Sequence, residues 1–380
     1  MTRDRVEIAV VGGGIVGLMT ARHLALAGAD VLLLDAGDIG AAASGANAGS
    51  LHLQLQYPEF VAFGEEWART YAPTLTFLKQ SIALWEALPN ELDADLEFKL
   101  AGGIIVATTD DQMARIQSKA RIEATAGVET EILDRGDLLK LAPYLSPATI
   151  GGGYCRMEGK ANPLKIVPAL ANAAHNAGVR IKTGVRITGI EGRAPSFRLE
   201  TSSGPVVTQR IVNAAGAEAS RIGAMVGTRL DIRGVPLQMT VTEPLALIIP
   251  HLIYSAAGKL TLKQLENGGC VIGGGWTARE RSNGSLVIDP TNFAGNMSMA
   301  ANVAPAIAGA CALRSWTAWV NGTPDWRPIL GEDRNVRGVI HALFPWVGFS
   351  AAPMTALAAA ELALGATPTA RLQGVSVLYD

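Results

Sequence analysis

Continuous apolar runs alternate with helical periodicities from the start of the chain. Residues 7–11 (EIAVV) form a short β-rich run, 12–17 a glycine turn, 18–27 a helix and 31–35 a second apolar strand, which together predict a β-α-β unit. Residues 59–89 repeat Phe60, Phe63, Trp67, Leu75, Leu78 and Trp85 on one helical face, and Pro89 is expected to end that helix. Strand-like GGIIVATT, 102–109, precedes an amphipathic helix over 110–126. Asn162 and Pro163 then read as a helix start and Gly178 as its stop, with two strands to follow. QRIVNAAGAEASRIGAMVG, 209–227, repeats the order strand, glycine turn, helix. From Arg233 to Trp276 short β runs are separated by Pro, Gly and Asn, the pattern of an antiparallel sheet. The chain closes on a strand at 338–343, a further glycine turn and an alanine-rich helix at 351–365.

Helix-and-strand segments at the start, middle and end are thus interrupted twice by β-rich sequence. This order predicts an α/β fold, α+β overall, with a discontinuous Rossmann-like nucleotide domain built from 1–80, 145–230 and 325–380. A second, antiparallel-sheet domain would take 81–144 and 231–324. Composition narrows the picture. With 380 residues, 49% of them hydrophobic, the chain can fill a substantial core, and a net charge of −2 argues against a nucleic-acid partner. Mean hydropathy is +0.24, yet every apolar run is broken before the roughly 20 residues a spanning helix needs. The N-terminal residues pass into a strand without a signal-peptide core, so a cytoplasmic location is expected, with no transmembrane segment. Cys155, Cys270 and Cys311 are too far apart to suggest a disulfide framework or a Cys-x-x-Cys metal site, and no metal ligands are assigned.

Gly12, Gly14 and Gly17 fit G-x-G-x-x-G directly after a strand and at the opening of a helix. Gly12 permits the turn, Gly14 the approach of a pyrophosphate, and Gly17 close helix–strand contact. The helix N-terminus offers free N–H groups to the phosphates. Asp35, 18 residues beyond Gly17, can accept ribose hydroxyls and would repel a 2′-phosphate, which disfavours NADP. The fingerprint leaves NAD and FAD open. GAAASGANAGSLHLQL, 40–55, is poor in large side chains and could run its backbone flat along an isoalloxazine ring. GGGW at 273–276 is no second fingerprint, because no helix follows; it reads as a strand end where backbones pack closely.

Along nearly its whole length the sequence resembles the glycine/D-amino-acid oxidase family of FAD enzymes. The resemblance runs through the opening VVGGGIVGLMTARHLALAGADVLLLD, ASGANAGSLH, GKANPLKIVPALANAAHNAGVRI, IVNAAGAEASRI, GTPDWRPILGE and the closing GFSAAPMTALAAAELALG. ASGANAGSLHLQLQ and LTLKQLENGGCVIGGGW are most like the FAD-bearing B or β subunits of bacterial opine oxidases and dehydrogenases. Flavin subunits of hydrogen cyanide synthase and of D-hydroxyproline or proline dehydrogenases are similar too. The resemblance implies a D-amino-acid-oxidase-type substrate domain. It puts Gly12, Gly14, Ile15, Val16 and Gly17 on the pyrophosphate, Asp35 and Ala36 at the adenosine ribose, and Val185 beside the adenine. Ser44, Gly45, Asn47, Ala48, Gly49 and Ser50 would follow the flavin, and Ala215 and Gly216 would form a second turn near the dinucleotide. Val347, Gly348, Phe349, Ser350 and Ala351 would face the flavin's pyrimidine end from the mouth of the last helix, with Pro353 in its first turn.

The implied reaction is oxidation of a carbon–nitrogen bond by hydride transfer from the substrate α-carbon to flavin N5, followed by hydrolysis of the imine. Glycine-oxidase-like members hold the substrate carboxylate with an Arg; here Val320 stands at that position, followed by Asn321. A larger substrate, such as an opine or another N-substituted or cyclic amino acid, therefore fits better than a small free one. Candidate substrate contacts are His52, Lys263 and Arg156, although Lys263 equally suits a solvated sheet face and Arg156, like Arg314, a structural ion pair. His23, His175, His251 and His341 are read as structural. The resemblance further implies a non-covalent FAD, and an α subunit and a small ferredoxin-like subunit as partners. Any FMN or 2Fe–2S centre would belong to, or be shared with, those partners. The alternatives are a stand-alone amino-acid oxidase, an NAD-dependent Rossmann opine dehydrogenase and a flavin-binding subunit without turnover.

Overall fold

In the computed structural model, which describes residues 4–379, the strand Asp4–Val11 lies inside an eight-stranded sheet. Val31–Leu34 and Val206–Asn213 flank it, both parallel. Arg180–Lys182 extends the sheet beyond the first and Val339–Leu343 beyond the second, again parallel. Ile329–Glu332 closes that edge antiparallel, and the hairpin of Ile187–Arg193 and Ser196–Thr201 pairs onto the start of Val206–Asn213. Strands of this kind are covered on both faces, which is why Val31–Leu34 and Val339–Leu343 are buried at every position and read as unbroken apolar runs.

The helix Ile15–Leu26 buries residues all round rather than along one stripe, because the helix Gly348–Ala363 packs against it. Alanines 351, 352, 356, 358, 359, 360 and 363 of that last helix are buried, and side chains this small let neighbouring helices approach closely. The long helix Tyr57–Leu92 buries Leu75, Phe77, Leu78, Ile82 and Trp85 against the same core. It kinks at Gly64, where φ is +80°. Pro89 does not end it: the helix runs on to Leu92 and stops at Asp93 in a left-handed conformation. The last helix begins at Gly348, earlier than expected, so Pro353 falls in its second turn rather than its first.

The second sheet also has eight strands, in the order Ala312–Gly322, Arg233–Pro244, Gly269–Gly273, Thr261–Gln264, Leu252–Ser255, Gly103–Ala107, Gly151–Cys155, Glu131–Asp134. All neighbours are antiparallel except Leu252–Ser255 with Gly103–Ala107. Gly151–Cys155 therefore belongs with this sheet, although a boundary at 145 would assign it to the first; the helix Tyr57–Leu92 likewise runs unbroken through a boundary at 80. At Gly274, φ +110°, a Cβ would lie 2.5 Å from the Leu260 carbonyl carbon, the close backbone approach read from GGGW. No helix among the described residues is long and apolar enough to cross a membrane.

One buried cluster stiffens the first sheet next to its second glycine turn. His341 Nε2 meets Asp333 Oδ2 at 2.9 Å, and both side chains are fully buried. Because the carboxylate only accepts, the His341 proton sits on Nε2, and Nδ1 accepts from Asn213 Nδ2 at 3.3 Å. Asn213 Oδ1 in turn accepts the Ala215 N–H. Burial alone would raise Asp333, but hydrogen bonds from His341 and the N–H groups of Asn335 and Val336 hold it well below the ordinary carboxylate value of 3.8. A group depressed in the fold contributes stability above its unfolded value and loses it as pH falls through the folded one. Asp333→Asn is thus expected to cost about 3 kcal/mol near pH 7. The deficit should persist to about pH 5 and shrink only below 3.8, as urea unfolding at each pH will read.

Candidate active site

Two cavities meet beside the N-terminus of the last helix. The first, about 490 Å³, runs from Gly12, Gly14 and Asp35 past Ser44 and Gly216 to Gly348 and Phe349. The second, about 440 Å³, is lined by Ser50, His52, Tyr254, Leu237 and Trp326, with Arg233 and Lys259 among its cations. Ala43, Asn47, Val320 and Trp346 belong to both walls.

The first cavity is a cradle that side chains would fill. A Cβ on Gly17 would lie 1.9 Å from the Gly12 carbonyl oxygen, and one on Gly12 would lie 2.4 Å from that of Ala214. The first helix starts at Ile15 without a side-chain cap from Gly14; instead Ser44 Oγ, reaching across from the next segment, accepts the Ile15 N–H at 2.9 Å. Asp35 is oriented by two backbone donors, Gly13 N at 2.5 Å and Gly37 N at 2.7 Å. At the far end the helix Gly348–Ala363 also starts without a side-chain cap. Two helix N-termini, the first with its Ile15 N–H held by Ser44 Oγ, thus face one elongated cavity, and the positive ends of their dipoles favour a ligand carrying negative charge at both ends. A dinucleotide fits it.

Ile15, Val16, Ala215 and Phe349 line this cavity, and Ala48, Ser50 and Val347 the other. Several expected contacts lie elsewhere. Ala36 is exposed and on neither wall, because Gly37 and not Ala36 turns its N–H to Asp35. Val185 is buried behind Asp35, its N–H on the Asp35 carbonyl at 2.8 Å, and it precedes the strand Ile187–Arg193 rather than standing in it. Gly17, Gly45 and Gly49 act through close packing: a Cβ on Gly49 would lie 2.1 Å from the Ala161 carbonyl oxygen. Residues 40–55 are no flat ribbon, since Ala43–Ala46 coil into one helical turn before the strand Ser50–Leu51.

In the second cavity His52 is held from two sides. Its N–H donates to Ser350 Oγ at 2.7 Å and its Nδ1 lies 2.7 Å from the Tyr254 hydroxyl. Burial, with Lys263 adding to it, lowers the imidazole to about 3, so it is neutral across the physiological range. Lys263 is fully buried and not on a solvated sheet face; its Nζ donates to Ser50 Oγ at 2.8 Å. It lines neither cavity, which corrects the expectation of direct substrate contact: it supports the wall from behind. Burial, then Lys160, lowers it to about 7. Arg156 and Arg314 are exposed and line neither cavity, so Arg156 is corrected too: it follows the last residue of Gly151–Cys155 and faces outward. Ala351 and Ser350 are buried, the latter acting through His52.

Sequence reasoning missed Glu158, Tyr254, Trp326 and Trp346. Glu158 is fully buried and accepts from Leu53 N, Gln54 N and Gln54 Nε2 at 2.6, 2.8 and 2.8 Å. Trp326 and Trp346 stack at 4.9 Å, both with positive φ, and Gly322 leaves the space for the Trp346 ring. Positive φ at a bulky residue is unusual, and the W of GTPDW was the nearest available signal.

Residues 7–362 match the family described as DAO, FAD dependent oxidoreductase. The chain is 29% identical over 343 residues to the opine oxidase B subunit of Rhizobium meliloti, covering 88% of this chain and 86% of that protein. It is 26% identical over 375 residues to the sarcosine oxidase beta subunit of Rhizobium meliloti (strain 1021), covering 95% and 85%. The crystal structure of glycine oxidase from Geobacillus kaustophilus superposes with a TM-score of 0.85 at 25% identity, covering 98% of each chain.

If Lys263 acts on His52 through space, Lys263→Met will raise the His52 midpoint from about 3 while leaving it below 6.5, because burial, the larger cause, remains. Imidazole NMR signals followed against pH will test this, and an unmoved midpoint would remove Lys263 from the site's electrostatics.

Proposed function

The chain belongs to the DAO family of FAD-dependent oxidoreductases, and from that premise we propose that it oxidises the carbon–nitrogen bond of an opine or another N-substituted or cyclic amino acid. It would do so in the cytoplasm as the flavin-bearing catalytic subunit of a heteromeric dehydrogenase, with an α subunit and a small ferredoxin-like subunit. The observation that carries this reading is the junction of the two cavities at Asn47, Val320 and Trp346, with the neutral imidazole of His52 in the second. FAD, when bound, supplies at N5 the acceptor for the substrate's hydride.

The turn at Gly12 and Gly14 and the start of the first helix would take the pyrophosphate, Asp35 the ribose, and Ser44, Asn47 and Ala48 the flavin. Gly348, at the uncapped start of the last helix, favours negative charge at the ring's pyrimidine end. The FAD is taken to be held non-covalently. Val320 provides no charge for a carboxylate, whereas Arg233 and Lys259 lie on the cavity wall farther out. That separation suits a substrate whose carboxylates extend from the reacting nitrogen. Trp326, Trp346 and Leu237 exclude water around its apolar part. The assignment to a heteromeric complex is supported by the likeness to the B subunit of opine oxidase and the beta subunit of sarcosine oxidase. A stand-alone oxidase is the second reading, favoured by end-to-end superposition on glycine oxidase; the native mass of the active species separates the two.

The purified protein should be yellow, absorbing near about 450 nm, and one of octopine, nopaline, sarcosine, proline or hydroxyproline should bleach it without oxygen. A colourless protein would overturn the cofactor, and a yellow one that no compound bleaches would overturn the reaction. Asp35→Ala should weaken flavin retention about tenfold or more, the worth of one hydrogen bond to a charged group, read as the ratio of flavin to protein absorbance.

A further inference from the structure

The wall of the second cavity holds a charge that the reaction as described does not use. Glu59 is the one carboxylate among the described residues that line it. It is half-buried, in the first turn of the helix Tyr57–Leu92, just before the kink at Gly64. Among the described residues its side chain has no hydrogen bond and no ion pair. Three cations share the wall. Lys119 is already matched, its Nζ bonded to Glu123 and to Gln54 Oε1 at 3.1 Å. Arg233 has no ion pair among the described residues, and Lys259 reaches only the Gly275 carbonyl, at 3.5 Å. The unmatched charges are therefore one negative and two positive. Glu59 is absent from the wall of the first cavity, and Phe63, one helical turn on and also lining the second, is half exposed. The carboxylate thus stands away from the junction at Asn47, Val320 and Trp346, on the side of the cavity that opens outward.

We propose that Glu59 receives a cation on the substrate, remote from the reacting nitrogen, and so selects N-substituted derivatives of a basic amino acid over those with a neutral or acidic side chain. The proposal rests on the amine-oxidation reading above and names the substrate class within it. A compound with two carboxylates, a neutral reacting amine and one guanidinium or ammonium reverses the unmatched charges of the cavity one for one. Its carboxylates meet Arg233 and Lys259, and its cation meets Glu59. Burial raises the Glu59 carboxyl above its ordinary 4.5, the mark of a charge short of donors, and a cationic side chain supplies them. A neutral side chain would leave Glu59 unmatched and shut off from water, and an acidic one would be repelled, so the carboxylate discriminates by exclusion as much as by attraction. An acid in a first helical turn is also favoured by the helix dipole. That role is indifferent to the substrate, and substrate preference therefore separates the two.

The test uses the flavin-loaded protein without oxygen and three compounds on one scaffold. The first is octopine or nopaline, whichever bleaches the flavin faster, with its guanidinium. The second is its citrulline counterpart, in which an uncharged urea replaces the guanidinium, and the third its acidic glutamate counterpart. At limiting substrate the wild type should reduce fastest with the guanidinium compound, by about tenfold or more over the urea and further over the acid. The preference should lie in the half-saturating concentration rather than in the limiting rate, because the contact is remote from the bond that breaks. Glu59→Gln should bring the guanidinium-to-urea ratio within about threefold, and Glu59→Lys should move the preference to the acidic compound. The wild-type ratio decides by itself if neither variant folds. Equal reduction by the guanidinium and urea compounds in the wild type, or an undiminished ratio in Glu59→Gln, would overturn the role of Glu59 while leaving amine oxidation standing. So would bleaching by sarcosine, proline or hydroxyproline with none by octopine or nopaline. A yellow wild type that no compound bleaches would overturn the amine-oxidation reading and this substrate class together.

Discussion

The backbone N–H groups of Leu53 and Gln54 converge on Glu158 at 2.6 and 2.8 Å, and the rest of the site depends on that junction. An ionised carboxylate without water is costly unless its lone pairs are filled, and the Gln54 side-chain amide completes the set. The strand Ser50–Leu51 pairs with Gly159–Lys160 on one side, and Ser350 Oγ accepts the His52 N–H on the other. The segment carrying the shared wall is thus tied at once to the strand Gly159–Lys160, to the second sheet through the Lys263 bond to Ser50, and to the last helix. Gly103 makes room for this, since a Cβ there would lie 1.8 Å from Glu158 Oε2.

Burial sets the charge state of the groups in the same region. His52 is neutral, while Lys263 sits in the layer beneath and the Lys119–Glu123 pair reaches the wall through Lys119, each of them fully buried. Charges placed there are screened little by solvent, so they act on the cavity over longer distances than surface groups would. The first cavity depends on backbone instead: two helix starts and a glycine turn face it, and the buried His341–Asp333 pair stiffens the strand end beside Ala215.

The two cavities therefore differ in how far they can be read from the chain alone. Gly12, Gly14, Gly17 and Asp35 stand at a spacing that has one geometric outcome after a strand, and local sequence sufficed for that cradle. Tyr254, Glu158 and His52 come from three separate stretches, and no periodicity connects them. Lys263 illustrates the difference: its alternation with Leu260 and Leu262 suits a wet sheet face, yet its strand lies in the middle of the second sheet, with both neighbours paired.

By itself, then, the sequence determined the order of strands, turns and helices, the interruption of one sheet by another, and the phosphate-type turn, because each follows from short-range periodicity and glycine sterics. Only the tertiary structure decided that Glu158 lies under the segment of His52, that Arg156 faces outward and Lys263 inward, and that the two cavities share Asn47, Val320 and Trp346. Those outcomes depend on which strands become neighbours, and strand pairing across more than a hundred residues leaves no mark on the residues between.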